Sequence, residues 1–188
     1  MNKRQSPIFR SFWYDKTMMN RPEKNEYNKY YEKYVSQVEE TDIIAALENQ
    51  SSELQSLLAG ISEEKSFYKY AEDKWTIKEV VGHLIDGERI FGYRALRISR
   101  ADKTPLEGFE QDGYIENSNF DGTKFTDLTE ELLLLRQSNN LFFKNLTDEA
   151  WRRTGTASDS PVSVRALAYI MVGHIRHHAN ILRERYLT

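Results

Sequence analysis

The sequence predicts an all-α fold: a four-helix bundle with one long crossover loop and short extra helices. Glycine and proline are scarce, at nine and four of 188 residues, which disfavours a turn-rich all-β architecture. Four segments carry apolar residues at alternating three- and four-residue steps, the pattern of one helix face. The irregular stretch 102–126 is long enough to cross the bundle, so we exclude simple up-down-up-down connectivity.

Composition and length indicate one domain without a strong charge. The net charge of -3 provides no basic field, so nucleic acid is not expected as a partner. The absence of cysteine excludes disulfides and thiolate catalysis and fits a cytoplasmic location. No apolar run approaches the roughly 18 residues of a membrane span, so no membrane partner is expected. We expect residues 1–21 to be an N-terminal extension and residues 22–188 a single bundle domain.

The first two helices are predicted from aromatic and apolar spacing. One begins after Pro22 and places several tyrosines on one face, where packing on a core edge is favoured over ligand stacking. Those tyrosines are Tyr27, Tyr30, Tyr31 and Tyr34. The second opens with Thr41 and Asp42 as a cap, and its apolar stripe is interrupted by the polar Gln50.

The third helix begins at a capping box formed by Thr76 and Glu79 and is predicted to run to about residue 100. Its inward side includes His83, Gly87 and Arg94. Gly87 either leaves space for a ligand near His83 or permits close contact between helices.

The second half of the chain is predicted to hold two further long helices. The crossover 102–126 is expected to cover part of a pocket, and a helix over about 127–146 follows, with Asn139 as the polar position of its stripe. Thr147 and Asp148 cap a short turn around Trp151. A polar loop, 154–160, then leads to the last helix, over about 163–186.

Three of the four histidines lie within eight residues of the last helix. Counting its core stripe places His174 and His178 at successive inward positions, with His177 about 100° around the helix. The stripe is Val164, Leu167, Met171, His174, His178 and Ile181. Imidazoles four residues apart point the same way and can chelate one divalent cation. The alternative for a single buried histidine is a structural hydrogen bond.

His83 would turn this pair into a three-histidine site if the third and last helices pack together. Three imidazoles leave a coordination position for water or substrate, as catalytic sites do. Zinc is the default ion, and nickel, iron or manganese would also accept imidazoles. The residues after His174 do not form the His-Glu-x-x-His protease motif, so no general base is built in between the ligands.

Other polar residues have weaker claims on the site. Asp86 and Glu88 are candidates for proton transfer, although both are expected on the flank of the helix in surface ion pairs. Gln50 and Asn139 either hydrogen-bond the imidazoles or a metal-bound water, or simply break the symmetry of the bundle core. Arg94 and Arg97 would suit an anionic substrate at a pocket mouth, although solvated arginines are commoner.

Together these motifs resemble the DinB-like and YfiT-like metal-binding four-helix bundles. The resemblance covers about residues 22–187. It rests on the Trp75-Thr76-x-x-Glu79 opening of the helix that carries His83, the tyrosine-rich opening, the Gly108-Phe109-x-x-Asp112 loop, and the histidine stretch followed by Arg185 and Tyr186. It implies that His83, His174 and His178 are the metal ligands and that His177 is an extra histidine beside them. The implied cofactor is one divalent ion, zinc or nickel, with a water ligand.

The resemblance implies a function only by class. Related bundles include transferases and an isomerase that use low-molecular-weight thiols such as bacillithiol or mycothiol, and other members are regarded as metal-dependent hydrolases. We therefore expect a thiol-dependent transferase acting on a small molecule, with a hydrolase as the alternative. A non-catalytic metal or ligand binder and a helical interaction protein remain further hypotheses. Dimerisation is compatible with an aromatic-rich bundle, but no stretch specifies it.

Overall fold

Four long helices make up the body of the computed structural model, which describes residues 21–188. The helices are α1 (Glu32–Val35), α2 (Ile43–Ala59), α3 (Ile77–Ser99), α4 (Gln111–Glu116), α5 (Phe125–Lys144), α6 (Asp148–Arg152) and α7 (Val164–Ile181). The strands are β1 (Thr154–Ala157) and β2 (Ser160–Ser163), and 3₁₀ turns lie at Lys24–Glu26, Lys29–Tyr31 and Lys65–Phe67. A π-helical turn, Leu182–Tyr186, extends α7. The predicted helical bundle is confirmed, whereas nearly all of the predicted N-terminal extension, residues 1–20, lies outside the described residues.

The order of the helices around the bundle is α2, α5, α3 and α7, and each packs on two neighbours. The consecutive helices α2 and α3 are therefore diagonal, each packing on α5 and α7. The predicted crossover joins α3 to α5, contains α4, and is tied to β1 by a bridge between Leu106 and Ala157. The bundle is not a simple up-down-up-down arrangement.

Local side chains explain where three of the long helices begin. The Asp42 carboxylate caps α2, and the Ser163 hydroxyl caps α7. Thr76 and Glu79 form the predicted capping box of α3: the Thr76 hydroxyl accepts from Glu79 N at 3.0 Å, and the Glu79 carboxylate accepts from Thr76 N at 2.6 Å. Each such cap contributes about 0.5–2 kcal/mol to helix stability.

Two segments differ from their predicted structure. The predicted first helix is instead a pair of 3₁₀ turns followed by α1, because the Asn28 side chain caps a new turn by accepting from Tyr30 N at 2.8 Å. The predicted polar loop 154–160 is most of a β-hairpin. Its two-residue turn consists of Ser158 and Asp159, with φ values of 51° and 57°, the left-handed conformations that a tight hairpin turn requires.

The bundle core consists of two apolar clusters separated by polar side chains. On α7, one cluster uses residues 164–172 and the other residues 175–182. Between these levels the other long helices contribute buried or half-buried polar groups. We call this set the polar layer: Gln50, Glu88, Arg136, Asn139 and Asn140. His174 lies at the same level of α7.

Candidate metal centre

The imidazoles of His83, His174 and His178 converge between α3 and α7. Their candidate ligand nitrogens all lie within 4.8 Å of one another. The Nε2 atoms of His83 and His174 are 2.9 Å apart, and the three rings pair edge to face with centroids 4.8–4.9 Å apart. The structure thus brings together the three residues that the sequence singled out as a set. We call them the histidine cluster.

Two glycines let the neighbouring elements approach this cluster. A Cβ atom at Gly87 would lie 2.9 Å from Cε1 of His174, so the space that Gly87 leaves is taken by that imidazole. A Cβ atom at Gly173 would lie 2.1 Å from the carbonyl oxygen of Tyr34. Close packing of helices is therefore the role that the structure gives Gly87, and Gly173 does the same for α1 against α7.

Burial keeps the histidine cluster uncharged. His83 and His174 are only 3% and 4% exposed. Burial, reinforced by His177 and Lys33, lowers the pKa of His83 to about 4. Burial also lowers the pKa of His174 and of His178 well below the ordinary value, and the neighbouring imidazoles add to the effect. Neutral imidazole is the form that binds a metal ion, so the cluster is in its ligating state at neutral pH.

Aromatic rings surround the cluster on several sides. The rings of Tyr34 and Phe91 meet His174 edge to face, with centroids at 5.2 and 5.7 Å. Trp75 lies 5.1 Å from His83. His177 is half-buried and contacts Tyr34 at 5.4 Å, so it stands beside the three clustered histidines, as its position on the helix predicted. This apolar surround lowers the local polarity and strengthens electrostatic interactions within the site.

A cavity of about 250 Å³ lies beside His83 and His174. The crossover forms part of its wall, so the prediction that this stretch covers a pocket is confirmed. The lining residues besides the two histidines are Tyr30, Tyr31, Tyr34, Phe91, Phe109, Glu110 and Gln111. A second cavity, of about 330 Å³, reaches His178 from the side of Trp75, Asp112 and Tyr186.

Sequence reasoning did not single out Glu110 and Gln111, which face the first cavity. They form the beginning of the short helix α4, and the sequence around them has no apolar periodicity that would indicate the direction of a side chain. The signals that pointed to this region were the length of the crossover and the Gly108-Phe109-x-x-Asp112 motif.

Glu88 does not lie where the sequence placed it. We predicted a surface ion pair, but Glu88 is 2% exposed and its carboxylate pairs at 2.7 Å with Arg136, which is fully buried. Asp86 is half-buried, and burial raises its pKa, an effect that Arg89 opposes. Neither carboxylate lines the cavity beside His83 and His174.

The predicted polar partners also lie away from the imidazole nitrogens. Gln50 donates to the carbonyl oxygen of Val172 at 2.9 Å, and Asn139 donates to the Glu88 carboxylate at 2.8 Å. Both belong to the polar layer and neither bonds an imidazole. Their positions favour the alternative in which they break the symmetry of the bundle core. Arg94 and Arg97 line a different cavity, one that adjoins the histidine cavity at Phe109.

The fold and the site define a class: a four-helix bundle in which the consecutive helices α2 and α3 are diagonal and three imidazoles cluster, two of them lining one cavity. Residues 46–182 match the family model of the DinB superfamily, and the chain belongs to that superfamily. The family resemblance drawn from the sequence is therefore confirmed.

A solved structure supports the same fold. The chain is similar to YfiT from Bacillus subtilis, described as a probable metal-dependent hydrolase with an unusual four-helix bundle topology. The TM-score is 0.68 at 17% identity, over 87% of this chain and 89% of that one. No curated protein matches the sequence significantly. In residues 21–188, no helix is long and apolar enough to cross a membrane.

Proposed function

We propose that the protein binds one divalent metal ion through His83, His174 and His178 and uses it to activate a thiol or a water molecule. The observation that carries the proposal is the convergence of three neutral imidazoles, with ligand atoms within 4.8 Å, beside a cavity. Burying three imidazoles costs several kcal/mol unless their nitrogens find partners. A bound divalent ion would supply that partner and lower the pKa of a water or thiol held beside it.

Zinc and nickel are the ions that we favour. The ligand set is all imidazole, which suits borderline cations and does not suit magnesium or calcium, which prefer oxygen. Three protein ligands leave room for an exogenous group, as in catalytic zinc sites. The adjoining cavity of about 250 Å³ is where such a group would enter.

The favoured reaction is transfer of a low-molecular-weight thiol to a small electrophilic substrate. Hydrolysis is the second candidate, because YfiT is described as a probable metal-dependent hydrolase. The two reactions differ in whether a thiol or a water occupies the open position. Turnover by the metal-loaded protein separates them: a transferase consumes its electrophilic substrate only when the thiol is added, whereas a hydrolase consumes its substrate with water alone.

The cavity lining suggests which groups would act on the substrate. Glu110 is the carboxylate on the wall beside the histidines, although it also caps α4 by accepting from Gly113 N at 2.9 Å. Burial raises the pKa of Tyr34, so its hydroxyl remains protonated and could donate a hydrogen bond. Proton transfer by Asp86 or Glu88 would need an intermediary, since neither lines this cavity.

Elemental analysis of protein purified without a polyhistidine tag is the first test. We expect about one divalent ion per chain and its loss in a His174→Ala/His178→Ala double variant, because one imidazole cannot hold the ion alone. His177→Ala is the matched control and should retain the ion. Metal-free protein after growth with zinc and nickel would overturn the proposal.

Chelation separates an enzyme from a bundle that the metal merely staples. A stapled bundle should unfold when the ion is removed. The two apolar clusters described above hold the helices without the ion, so we expect the chelated protein to stay folded. Its stability should fall by only about 3 kcal/mol, the value for a ligand present at one hundred times its dissociation constant. Helical circular dichroism measured before and after chelation reports the outcome.

A further inference from the structure

A third cavity, of about 530 Å³, opens between the C-terminal half of α3 and the crossover. Its wall combines cationic and aromatic side chains, chiefly Arg94, Arg97, Tyr93, Phe109 and Tyr114, and also includes the exposed Glu107. Phe109 also lines the cavity beside the histidines, so the two cavities adjoin at this ring. The pairing of guanidinium groups with aromatic faces is typical of sites for organic anions.

Arg94 is the informative residue of this cavity. It is 3% exposed, and its Nη2 atom donates to the carbonyl oxygen of Glu107 at 2.8 Å and to the Ser158 hydroxyl at 3.0 Å. These contacts hold the guanidinium without neutralising it. Within residues 21–188, no carboxylate lies in ion-pair distance of Arg94. Burying a cation without a counter-charge costs several kcal/mol, which an anionic ligand would recover.

The other two arginines of the cavity are already compensated. Arg97 pairs with Asp102, and Arg89 pairs with Glu131. Arg94 is therefore the arginine lining this cavity whose charge has no carboxylate partner in the described part of the chain. A single uncompensated guanidinium matches the single charge of a carboxylate better than the double charge of a phosphate monoester.

We propose that this cavity binds a carboxylate attached to an aromatic or apolar body. The Arg94 guanidinium would pair with the carboxylate, and the rings of Phe109 and Tyr114, whose centroids are 5.5 Å apart, would contact the body. The hairpin turn contributes Ser158, whose hydroxyl accepts a hydrogen bond from Arg94 Nη2 at 3.0 Å and so helps to hold the guanidinium in place.

The place of this site in the reaction rests on the proposed function. Arg94 follows His83 by eleven residues on α3, about 16 Å along the helix axis. Phe91, three residues before Arg94, already contacts the His174 ring. A substrate with an electrophilic carbon at one end and a carboxylate at the other would therefore span the two cavities past Phe109.

Calorimetric titration with 4-phenylbutyrate tests the site, with the neutral 4-phenylbutyramide as the matched ligand. We expect the acid to bind about tenfold or more tightly than the amide, because the amide cannot form the charged pair. Binding should be the same in metal-loaded and chelated protein and in the His174→Ala/His178→Ala variant. Arg94→Gln should weaken binding of the acid about tenfold or more, whereas Arg100→Gln, an exposed arginine just beyond α3, should not.

A second variant protects the test against loss of folding in Arg94→Gln. Tyr114 is 49% exposed, so Tyr114→Ala should leave the melting temperature unchanged. It should weaken binding of 4-phenylbutyrate about three- to tenfold, because it removes part of the aromatic wall. Equal affinity for acid and amide, or no binding of either, overturns the proposal. Binding that requires the metal also overturns it, because the carboxylate would then be held at the histidines. If elemental analysis finds no metal in the purified wild-type protein and that protein still binds the acid, this site is retained and the proposed function is rejected.

Discussion

The histidine cluster and the polar layer lie side by side in the same bundle and satisfy their polar groups in different ways. In the layer, Glu88 pairs with Arg136 at 2.7 Å and accepts from Asn139 at 2.8 Å. In the cluster, the one hydrogen bond between ring nitrogens among residues 21–188 joins Nε2 of His83 and Nε2 of His174 at 2.9 Å. In the layer the opposite charges of Glu88 and Arg136 compensate each other, although Gln50 Oε1, Arg136 Nε and Nη1 and Asn140 Oδ1 have no hydrogen-bond partner among the described residues. The cluster instead presents uncharged nitrogen lone pairs to an outside partner. This contrast separates a structural use of buried polarity from a functional one.

The difference follows from the charge states of the two groups. Arg136 cannot give up its proton at neutral pH, so a carboxylate must accompany it into the core. Imidazoles can be buried neutral, at a smaller cost, and then retain the ability to bind an ion. The same helices, α3 and α7, can therefore border both sets without interference.

Breaking the Glu88–Arg136 pair should have the largest effect on stability. Glu88→Gln leaves a fully buried guanidinium without its counter-charge, and we expect a loss of about 3–5 kcal/mol in the free energy of unfolding by urea. Glu131→Gln, which breaks the exposed pair with Arg89, is the control and should cost about 1 kcal/mol or less. A cost below 1 kcal/mol for Glu88→Gln would contradict a structural role for the layer.

Moving one imidazole should disturb the cluster while leaving the layer intact. In Gly87→Ala, the new methyl group would meet Cε1 of His174 at 2.9 Å, so we expect a loss of about 1–3 kcal/mol in stability. Metal affinity should fall about 10–100-fold in a competition titration, because the ring is displaced from its ligating position. Gly60→Ala is the matched control, since its Cβ would make an ordinary contact of 3.8 Å. Unchanged metal affinity in Gly87→Ala would argue against His174 as a ligand.

The pH dependence of metal-stripped protein should also distinguish the two sets. The pKa of His83 is lowered to about 4 in the folded state, so below pH 6.5 the unfolded chain takes up a proton that the folded one does not. Stability should therefore fall as the pH drops through this range, by about 1 kcal/mol between pH 6.5 and 5.5 for His83 alone. When the free energy of unfolding by urea is measured at several pH values, it should fall less steeply with decreasing pH in His83→Ala than in the wild type. An equal dependence of the unfolding free energy on pH in the two proteins would mean that His83 is not buried in its neutral form.

The smallest expected change in stability concerns Ala101, which lies outside both the histidine cluster and the polar layer. Ala101 follows α3 with φ 61°, where Asp102 N donates to Arg97 O and Ala101 N donates to Ile98 O, the arrangement of a glycine-type helix end. Ala101→Gly should raise stability by about 0.5–1 kcal/mol, because glycine adopts this conformation without steric cost. Metal content should not change. A destabilised Ala101→Gly protein would show that the alanine methyl group makes a contact that outweighs its backbone strain.

Periodicity and capping made the long helices and the histidine cluster predictable. The Thr76–Glu79 box marks the beginning of α3, and the three-four spacing of α7 separates His174 and His178 from His177. Both features depend on residues close together in sequence, so local rules are sufficient. Joining His83 to the pair required the assumption that α3 packs on α7.

Features that depend on distant partners were not predictable in the same way. Glu88 lies five residues after His83, off the inward stripe, and its burial depends on Arg136 from another helix. The hairpin was missed because its turn, Ser158-Asp159, lacks the glycine that usually marks a tight turn, and because Pro161 disfavours a strand. The aromatic spacing of residues 27–34 suggested a helix, but the cap at Asn28 begins a separate 3₁₀ turn.

The hairpin turn has a consequence for how this bundle could diversify. Its two residues have no room for an insertion without a change of turn type, and Ser158 within it contacts Arg94 about three helical turns from His83. Lengthening that turn would reshape the cavity lined by Arg94 while leaving the three clustered imidazoles in place. Ligand preference in descendants of this protein could thus drift through a peripheral loop while the reactive chemistry stays constant.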